Sequence, residues 1–237
     1  MKSLPHKKHL ILAAMTVFLV VISGCEEIVT DFGFDGQISG LILDQNGNPV
    51  SGDAANPAFT VFALGEQDRV PLELRVNGDG SYANLHLYPQ RYTVWVEGPV
   101  DGPGQGELTV DLTGRPVEQN IMVTPFLVIP PPTVSVSGGE LQVNYSISPS
   151  QGHGVRERVV LVSTVAKVGV NTGNGPRWQT RELDLSDNSG MASVPLDANL
   201  LAMSRERGGG NLHIRIAARS DQTTDWNHSL PIVITAP

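Results

Sequence analysis

The sequence predicts an all-β fold made of two β-sandwiches in tandem. Short segments of alternating apolar and polar residues recur between turns rich in Gly, Asn and Asp, as in sandwich proteins. Residues 130–132 are consecutive prolines, which form neither a helix nor a central strand and therefore divide the chain. The sole cysteine, Cys25, leaves the fold to rest on apolar burial, for which 40% hydrophobic residues suffice. The 213 residues after the first 24 are enough for two ordinary domains or one large sandwich.

Residues 1–24 are ordered like an export signal. Lys2, Lys7 and Lys8 precede an apolar run over residues 10–22, which is too short to span a bilayer. Residues 22–25 read Ile-Ser-Gly-Cys and resemble the lipobox of bacterial lipoproteins, whereas an ordinary signal peptide is the alternative. The resemblance implies that Cys25 becomes the first mature residue, carries a diacylglycerol and holds the protein on a membrane.

Residues 25–35 form an acidic tether that contains Glu26, Glu27, Asp31 and Asp35. A solvated spacer explains these charges, but acidic residues behind an acylated cysteine also resemble the surface-export signal of Bacteroidetes lipoproteins. That resemblance implies the outer face of the outer membrane. The net charge of −8 and the lack of a basic cluster argue against nucleic-acid binding.

The first sandwich is predicted over residues 36–124. A strand begins at Gly36 and runs into a turn over residues 44–49, residues 59–64 form a second strand, and residues 77–81 form a second tight turn. Residues 91–97 then alternate, which places Tyr92, Val94 and Val96 on one face and Thr93, Trp95 and Glu97 on the other.

These residues resemble the carboxypeptidase regulatory-like domain, a transthyretin-like sandwich. The matching positions are Gly36, Gly40, Asp44, Gly47, Pro49, Val50, Asp79, Gly80, Tyr82, Pro89 and Tyr92. Gln90 departs from the pattern, because the family usually has glycine there, and this implies a different turn before the strand that follows.

A proline-rich connector over residues 125–133 is expected to be stiff and extended, and a second sandwich is predicted over residues 134–237. Its strands include an alternating segment from Leu141 to residue 147, a continuous apolar stretch over 159–166 covered on both faces, a further alternation over 212–219, and a last strand over 230–235. A short helix is predicted within residues 194–207, opened by Asp197 and ended by the glycines at 208–210. This half resembles an immunoglobulin or fibronectin type III sandwich.

Taken together, these features resemble a family of uncharacterised Bacteroidetes lipoproteins associated with starch-utilisation systems. Members tend to be encoded beside an outer-membrane transporter and a glycan-binding lipoprotein. The resemblance implies those two proteins as partners and polysaccharide as the substrate class.

The sequence carries no arrangement that predicts catalysis. Metalloprotease, hydrolase, phosphate-loop and dinucleotide motifs are absent, so a non-enzymatic protein without a cofactor is expected. His86, His153, His213 and His228 are widely separated and are interpreted as surface or strand-edge residues instead of metal ligands. The alternating oxygen-bearing residues at 44–48 and at 77–79 start like calcium loops but lack the closing glutamate, so hairpin turns explain them and no metal site is predicted.

Tryptophans are the candidate ligand-binding residues, because an aromatic plane beside polar groups suits a sugar. Trp95 is predicted on the outer face of its strand, where it binds ligand or packs against the second sandwich or a loop. Trp226 lies in a loop before the last strand and is either a binding residue or a core plug. Trp178 follows a glycine-rich loop, with Arg177 and Arg181 nearby.

The sequence therefore favours a non-enzymatic surface lipoprotein, accessory to glycan uptake, that binds carbohydrate or supports the transporter complex. The alternative is a structural or adhesive module of a fimbria or stalk. An edge strand that accepts a donated strand, expected near residues 230–237, would favour that alternative.

Overall fold

A computed structural model of the chain describes residues 33–51, 59–101, 105–166, 168–170 and 180–237. Cys25, the export signal, most of the acidic tether and Trp178 lie outside the described residues. The described chain is almost entirely β-structure with one short helix, arranged as tandem sandwiches, which confirms the predicted fold class. No helix among the described residues has the length and hydrophobicity needed to cross a bilayer.

The described residues of the first sandwich form eight strands in two sheets. The strands are β1 (Gly36–Leu43), β2 (Thr60–Gly65), β3 (Leu72–Arg75), β4 (Ser81–Leu87), β5 (Arg91–Glu97), β6 (Gln105–Asp111), β7 (Val117–Glu118) and β8 (Ile121–Met122). One sheet has the order β4-β1-β7, with β8 also paired to β1, and β7 and β8 both run parallel to β1. The other sheet has the order β3-β2-β5-β6 and is antiparallel throughout.

The core of the first sandwich lies between these sheets. Tyr92, Val94 and Val96 are at most 1% exposed, so the predicted alternation of β5 is confirmed. On the opposite sheet, a Cβ added to Gly40 would lie 1.9 Å from the carbonyl oxygen of Gln119. Glycine is therefore required where β1 approaches this backbone.

In the second sandwich, ten strands are formed by the residues that the structure describes. These are β9 (Leu127–Val128), β10 (Thr133–Ser137), β11 (Glu140–Ser146), β12 (Ser148–Pro149), β13 (Val155–Ser163), β14 (Thr180–Asp184), β15 (Ser189–Pro195), β16 (Asn211–Ser220), β17 (Trp226–His228) and β18 (Ile232–Thr235). The sheet β10-β11-β15 faces the sheet β14-β13-β16-β17, in which β18 also pairs with β16, and β9 pairs with β12. Leu141, Val143, Val160, Ile214 and Ile216 are fully buried between them.

Strand β13 is covered on both faces, as its continuous apolar sequence predicts. Val160 and Val162 point into the main core, whereas Val159 and Leu161 belong to a smaller cluster on the other face of the sheet. We call that other face the back face of the second sandwich.

One helix, α1 (Ala198–Arg207), follows β15 and confirms the predicted helix and both of its ends. The Asp197 carboxylate accepts a hydrogen bond from the Leu200 amide at 2.8 Å, which caps the first turn. The same carboxylate binds the Arg181 guanidinium through two contacts of 3.0 and 2.8 Å. At the other end the Gly208 amide donates to the Ser204 carbonyl, which ends the helix.

The connector between the sandwiches is packed at its start and through alternate side chains, whereas Pro130 and Pro131 are exposed. Pro125 forms a β-bridge with Val100, and the Phe126 amide donates to the Pro99 carbonyl at 2.9 Å. Leu127 and Ile129 are buried in the core of the second sandwich. The connector thus joins the two sandwiches through paired backbone and buried side chains, in addition to the stiffness of its prolines.

Candidate functional site

An aromatic pair, Phe62 and Trp95, lies on the outer face of the first sandwich. We use outer face for the side of sheet β3-β2-β5-β6 that is turned away from the core. Phe62 on β2 and Trp95 on β5 are direct cross-strand partners, and both are only partly buried. Their rings are nearly parallel, at an interplanar angle of 16°, with centroids 5.4 Å apart. This offset-stacked geometry stabilises both rings beyond their buried area.

A carboxylate fixes the orientation of the indole. The Nε1–H of Trp95 donates to Oε1 of Glu97 at 2.8 Å, and Glu97 lies two residues further along the same face of β5. Trp95 is therefore held on one side by the Phe62 ring and on another by a charge-assisted hydrogen bond. A ring held in this way needs little further ordering when a ligand stacks on it.

Strand register places polar side chains around the aromatic pair. Glu73 on β3 is opposite Phe62, and Thr60 on β2 is opposite Glu97. On β6, Leu108 pairs with Val94, so the exposed Glu107 lies opposite Trp95, and the register then shifts before Val96. The outer face thus combines an apolar plane with carboxylate and hydroxyl groups, which can meet the C–H face and the hydroxyls of a sugar.

Trp226 occupies a different environment. It lies on β17 and packs against the small cluster on the back face of the second sandwich. The Arg219 guanidinium carbon is 5.3 Å from its ring centroid, and Arg219 also forms an ion pair with Glu157. Trp226 therefore fits the core-plug alternative, and it belongs to a different sheet from Trp95.

Two histidines are buried instead of lying at the surface, since His228 is 6% exposed and the side chain of His153 is 4% exposed. His153 and the turn at Asp44 have structural partners. His153 stacks on Phe126 with ring centroids 4.0 Å apart and contacts the Asp101 carboxylate at 2.5 Å. Asp44 Oδ1 accepts the amides of Asn46 and Asn48, both at 2.8 Å, as expected of a hairpin turn. Among the described residues no group of three or more His, Cys, Asp or Glu side chains could hold a metal ion.

The back face of the second sandwich contacts the first sandwich through a buried arginine. Arg215 is 1% exposed, and its guanidinium donates to the carbonyls of Ser229 at 2.9 Å and Val168 at 2.7 Å and to the Ser51 hydroxyl. Ser51 also forms a β-bridge with His228. Burial, reinforced by the nearby Arg215 charge, lowers the pKa of His228 well below its usual value.

A cavity of about 210 Å³ lies beside this contact. Its lining is mainly apolar and includes Val50, Leu127 and Leu230, with Asn227 among its polar members. The Asn227 amide nitrogen donates to the Pro99 carbonyl at 3.3 Å. The sandwiches thus share an apolar and hydrogen-bonded contact.

The sequence predicts Trp95 on the outer face of its strand, where the structure places it, but it does not predict that Phe62 and Glu107 lie beside it. Phe62 lies in a predicted strand, yet its pairing with Trp95 depends on the register between β2 and β5, which side-chain alternation does not give. Glu107 is opposite Trp95 in the register that pairs Val94 with Leu108, and alternation along one strand does not give that register either. Trp178 lies outside the described residues, so the structure does not place it relative to the aromatic pair.

No family model matches the sequence, and no curated protein matches it significantly. Solved structures that share its fold include two DUF3823 family proteins and one protein that has been given a provisional function. A DUF3823 family protein of Bacteroides ovatus aligns with a TM-score of 0.69 at 16% identity, over 86% of this chain and 100% of that chain. A DUF3823 family protein of Parabacteroides merdae gives 0.69 at 17% identity, over 84% and 98%. A provisionally assigned carbohydrate binding protein of Bacteroides uniformis gives 0.65 at 20% identity, over 86% and 100%.

Proposed function

We propose that the protein is a non-enzymatic lipoprotein that binds carbohydrate on the outer face of its first sandwich. The observation that carries the proposal is the partly exposed Phe62–Trp95 pair, with its indole held by Glu97. A rigid aromatic plane in a polar frame suits a pyranose, whose faces are apolar and whose edge bears hydroxyls. The provisional name of the Bacteroides uniformis protein supports the same ligand class.

The cellular setting forms part of the proposal. Cys25 and the three residues before it support a lipid anchor, and the acidic tether supports display on the outer face of the outer membrane. In that setting the protein serves a glycan-uptake system beside its transporter and its glycan-binding lipoprotein. Cys25→Ser is expected to release the protein from the membrane fraction, and retention of this variant on the membrane would contradict the anchor.

The binding test is calorimetric titration of the purified protein with neutral hexasaccharides, preceded by a glycan-array screen. Trp95→Ala is expected to weaken binding at least tenfold. The stacking of a nucleic-acid base on one aromatic ring contributes about 1–3 kcal/mol, and we expect a sugar face on the indole to contribute a similar amount. Phe62→Ala is expected to weaken binding less than Trp95→Ala, because the indole remains and only its stacking partner and part of the aromatic plane are lost.

Trp226→Ala is the matched control, because it removes the same side chain from a different sheet. We expect it to lower stability and to leave glycan affinity unchanged, since Trp226 packs against the back face of the second sandwich. Equal loss of affinity in the Trp95 and Trp226 variants, or wild-type affinity in Trp95→Ala, would contradict the proposed site.

A second candidate function is a structural or adhesive module, favoured by the edges of the smaller sheet in the second sandwich. Among the described residues β10 and β15 each pair only with β11, and each exposes an apolar side chain, Val136 at 42% and Met191 at 66%. Such edges can accept a further strand. Light scattering over a concentration series tests this candidate: growing oligomers that Met191→Lys dissolves would support it, and a monomer at all concentrations would contradict it.

A further inference from the structure

We propose that the aromatic pair selects neutral sugars and rejects acidic ones, such as uronic acids and sulfated sugars. This inference rests on the proposed carbohydrate binding at Phe62 and Trp95 and adds the charge class of the ligand. It follows from the side chains that strand register brings to the edges of the pair.

Carboxylates surround the pair on three sides. Glu73 is the cross-strand neighbour of Phe62, and Glu107 lies opposite Trp95. Glu97 binds the indole N–H at 2.8 Å and lies on the next row of the same face. Neighbouring strands are about 4.8 Å apart and same-face residues of one strand about 7 Å apart, so all three charges lie within a sugar's length of the rings.

The cations on this face offset the negative charge only in part. Arg75 lies two residues from Glu73 on the same face and opposite Thr60. Arg91, at the far end of β5, is opposite Asp111 and binds Glu66 at 3.2 Å, so its charge is matched locally. The electrostatic potential at the aromatic pair is therefore negative, because three carboxylates outweigh one guanidinium.

The three glutamates attract the hydroxyls of a neutral sugar and repel the carboxylate of an acidic sugar. A neutral sugar can donate its hydroxyls to Glu73, Glu97 and Glu107, and hydrogen bonds to charged acceptors are stronger than neutral ones. A uronate would place a like charge about 7 Å from these groups, and Arg75 offsets only part of their negative charge. At low ionic strength this repulsion amounts to about a tenfold loss of affinity, and it falls as salt screens exposed charges.

The experiment compares sugars that differ only in charge. Cellohexaose, maltohexaose and mannohexaose are titrated into the purified protein, followed by the same sugars with each C6 hydroxymethyl oxidised to a carboxylate. We expect a neutral hexasaccharide to bind, its oxidised form to bind about tenfold more weakly in 20 mM salt, and the two affinities to converge in 0.5 M salt.

Variants assign the effect to the carboxylates. Glu73→Gln with Glu107→Gln is expected to narrow the ratio between the affinities for the neutral and the oxidised sugar several-fold. The same variant is expected to bind the neutral sugar more weakly than the wild type, because its hydroxyls lose two charged acceptors. Glu118→Gln is the matched control, because it removes one exposed acid from β7 in the opposite sheet. It is expected to leave the discrimination unchanged.

The outcomes separate this inference from the proposed function. Equal or tighter binding of an oxidised sugar that depends on Trp95 would overturn the charge selection and leave carbohydrate binding intact. Discrimination unchanged in the Glu73 and Glu107 variant would also overturn it. Failure of every neutral and oxidised sugar to bind would overturn both.

Discussion

Arg215→Ala is expected to destabilise the protein by about 4–5 kcal/mol. The guanidinium donates to two carbonyls and one hydroxyl, in a site where Arg215 is 1% exposed. A buried acceptor left without its donor costs about 1 kcal/mol or more, which gives about 3 kcal/mol for the three acceptors. The space left by the side chain adds about 1–2 kcal/mol.

Urea unfolding followed by circular dichroism measures this change, and calorimetry gives the accompanying melting temperature. For a chain of this size 1 kcal/mol corresponds to roughly 2–4 °C, so the melting temperature is expected to fall by roughly 10 °C or more. Arg219→Ala is the control, since Arg219 lies on the same strand and face but keeps 19% of its side chain exposed. Its ion pair and its contact with Trp226 are together expected to contribute only about 1 kcal/mol.

A loss below about 1.5 kcal/mol for Arg215→Ala would refute the reasoning, because it would mean that water or rearranged backbone satisfies the same acceptors. Arg215→Met keeps most of the side-chain volume and removes the buried charge. We expect it to be less damaging than alanine, since it fills the space that alanine leaves empty.

Three further predictions concern stability. Burial lowers the pKa of both His228 and His213 in the native protein, so below about pH 6.5 the unfolded chain binds more protons than the native one. The free energy of unfolding, measured by urea titration at each pH, is therefore expected to decline from pH 6.5 toward pH 5. His228→Gln is expected to make this decline shallower. Asp197→Ala removes the helix cap and the ion pair at the start of α1 and is expected to cost about 1–2 kcal/mol in urea; a cost below 0.3 kcal/mol would contradict the capping role. Gly40→Ala is expected to prevent soluble expression or to lower the melting temperature strongly, because its Cβ would lie 1.9 Å from the Gln119 carbonyl oxygen; a wild-type melting curve would contradict this close approach.

The strand faces and the helix could be predicted from the sequence because both depend on local patterns. The alternation of residues 91–97 places Trp95 on the outer face regardless of the position of β5 within the sheet. Asp197 likewise caps the helix that begins at the next residue, which depends only on the local sequence. The short turn at residues 77–81 likewise follows from its own Asn, Asp and Gly.

The candidate site and the contact between sandwiches could not be predicted, because both depend on register and packing over long separations. The partner of Trp95 is set by the register between β2 and β5, and the position of Glu107 opposite Trp95 is set by the register between β5 and β6. The alternation of its strand predicts that Arg215 is exposed, yet Arg215 is buried and donates to Ser51 of the first sandwich. The prolines of the connector predict stiffness, whereas the burial of Leu127 and Ile129 depends on the core that receives them.

The hydrogen bond between Arg215 and Ser51 has a kinetic consequence. It joins residues 164 positions apart, so closing this contact costs more chain entropy than pairing neighbouring strands. Each sandwich can form most of its own hydrogen bonds before the two dock, which places the Arg215 contact late in folding. Contacts made after the rate-limiting step slow unfolding and leave the folding rate unchanged. The buried arginine therefore governs how long the native protein persists once folded.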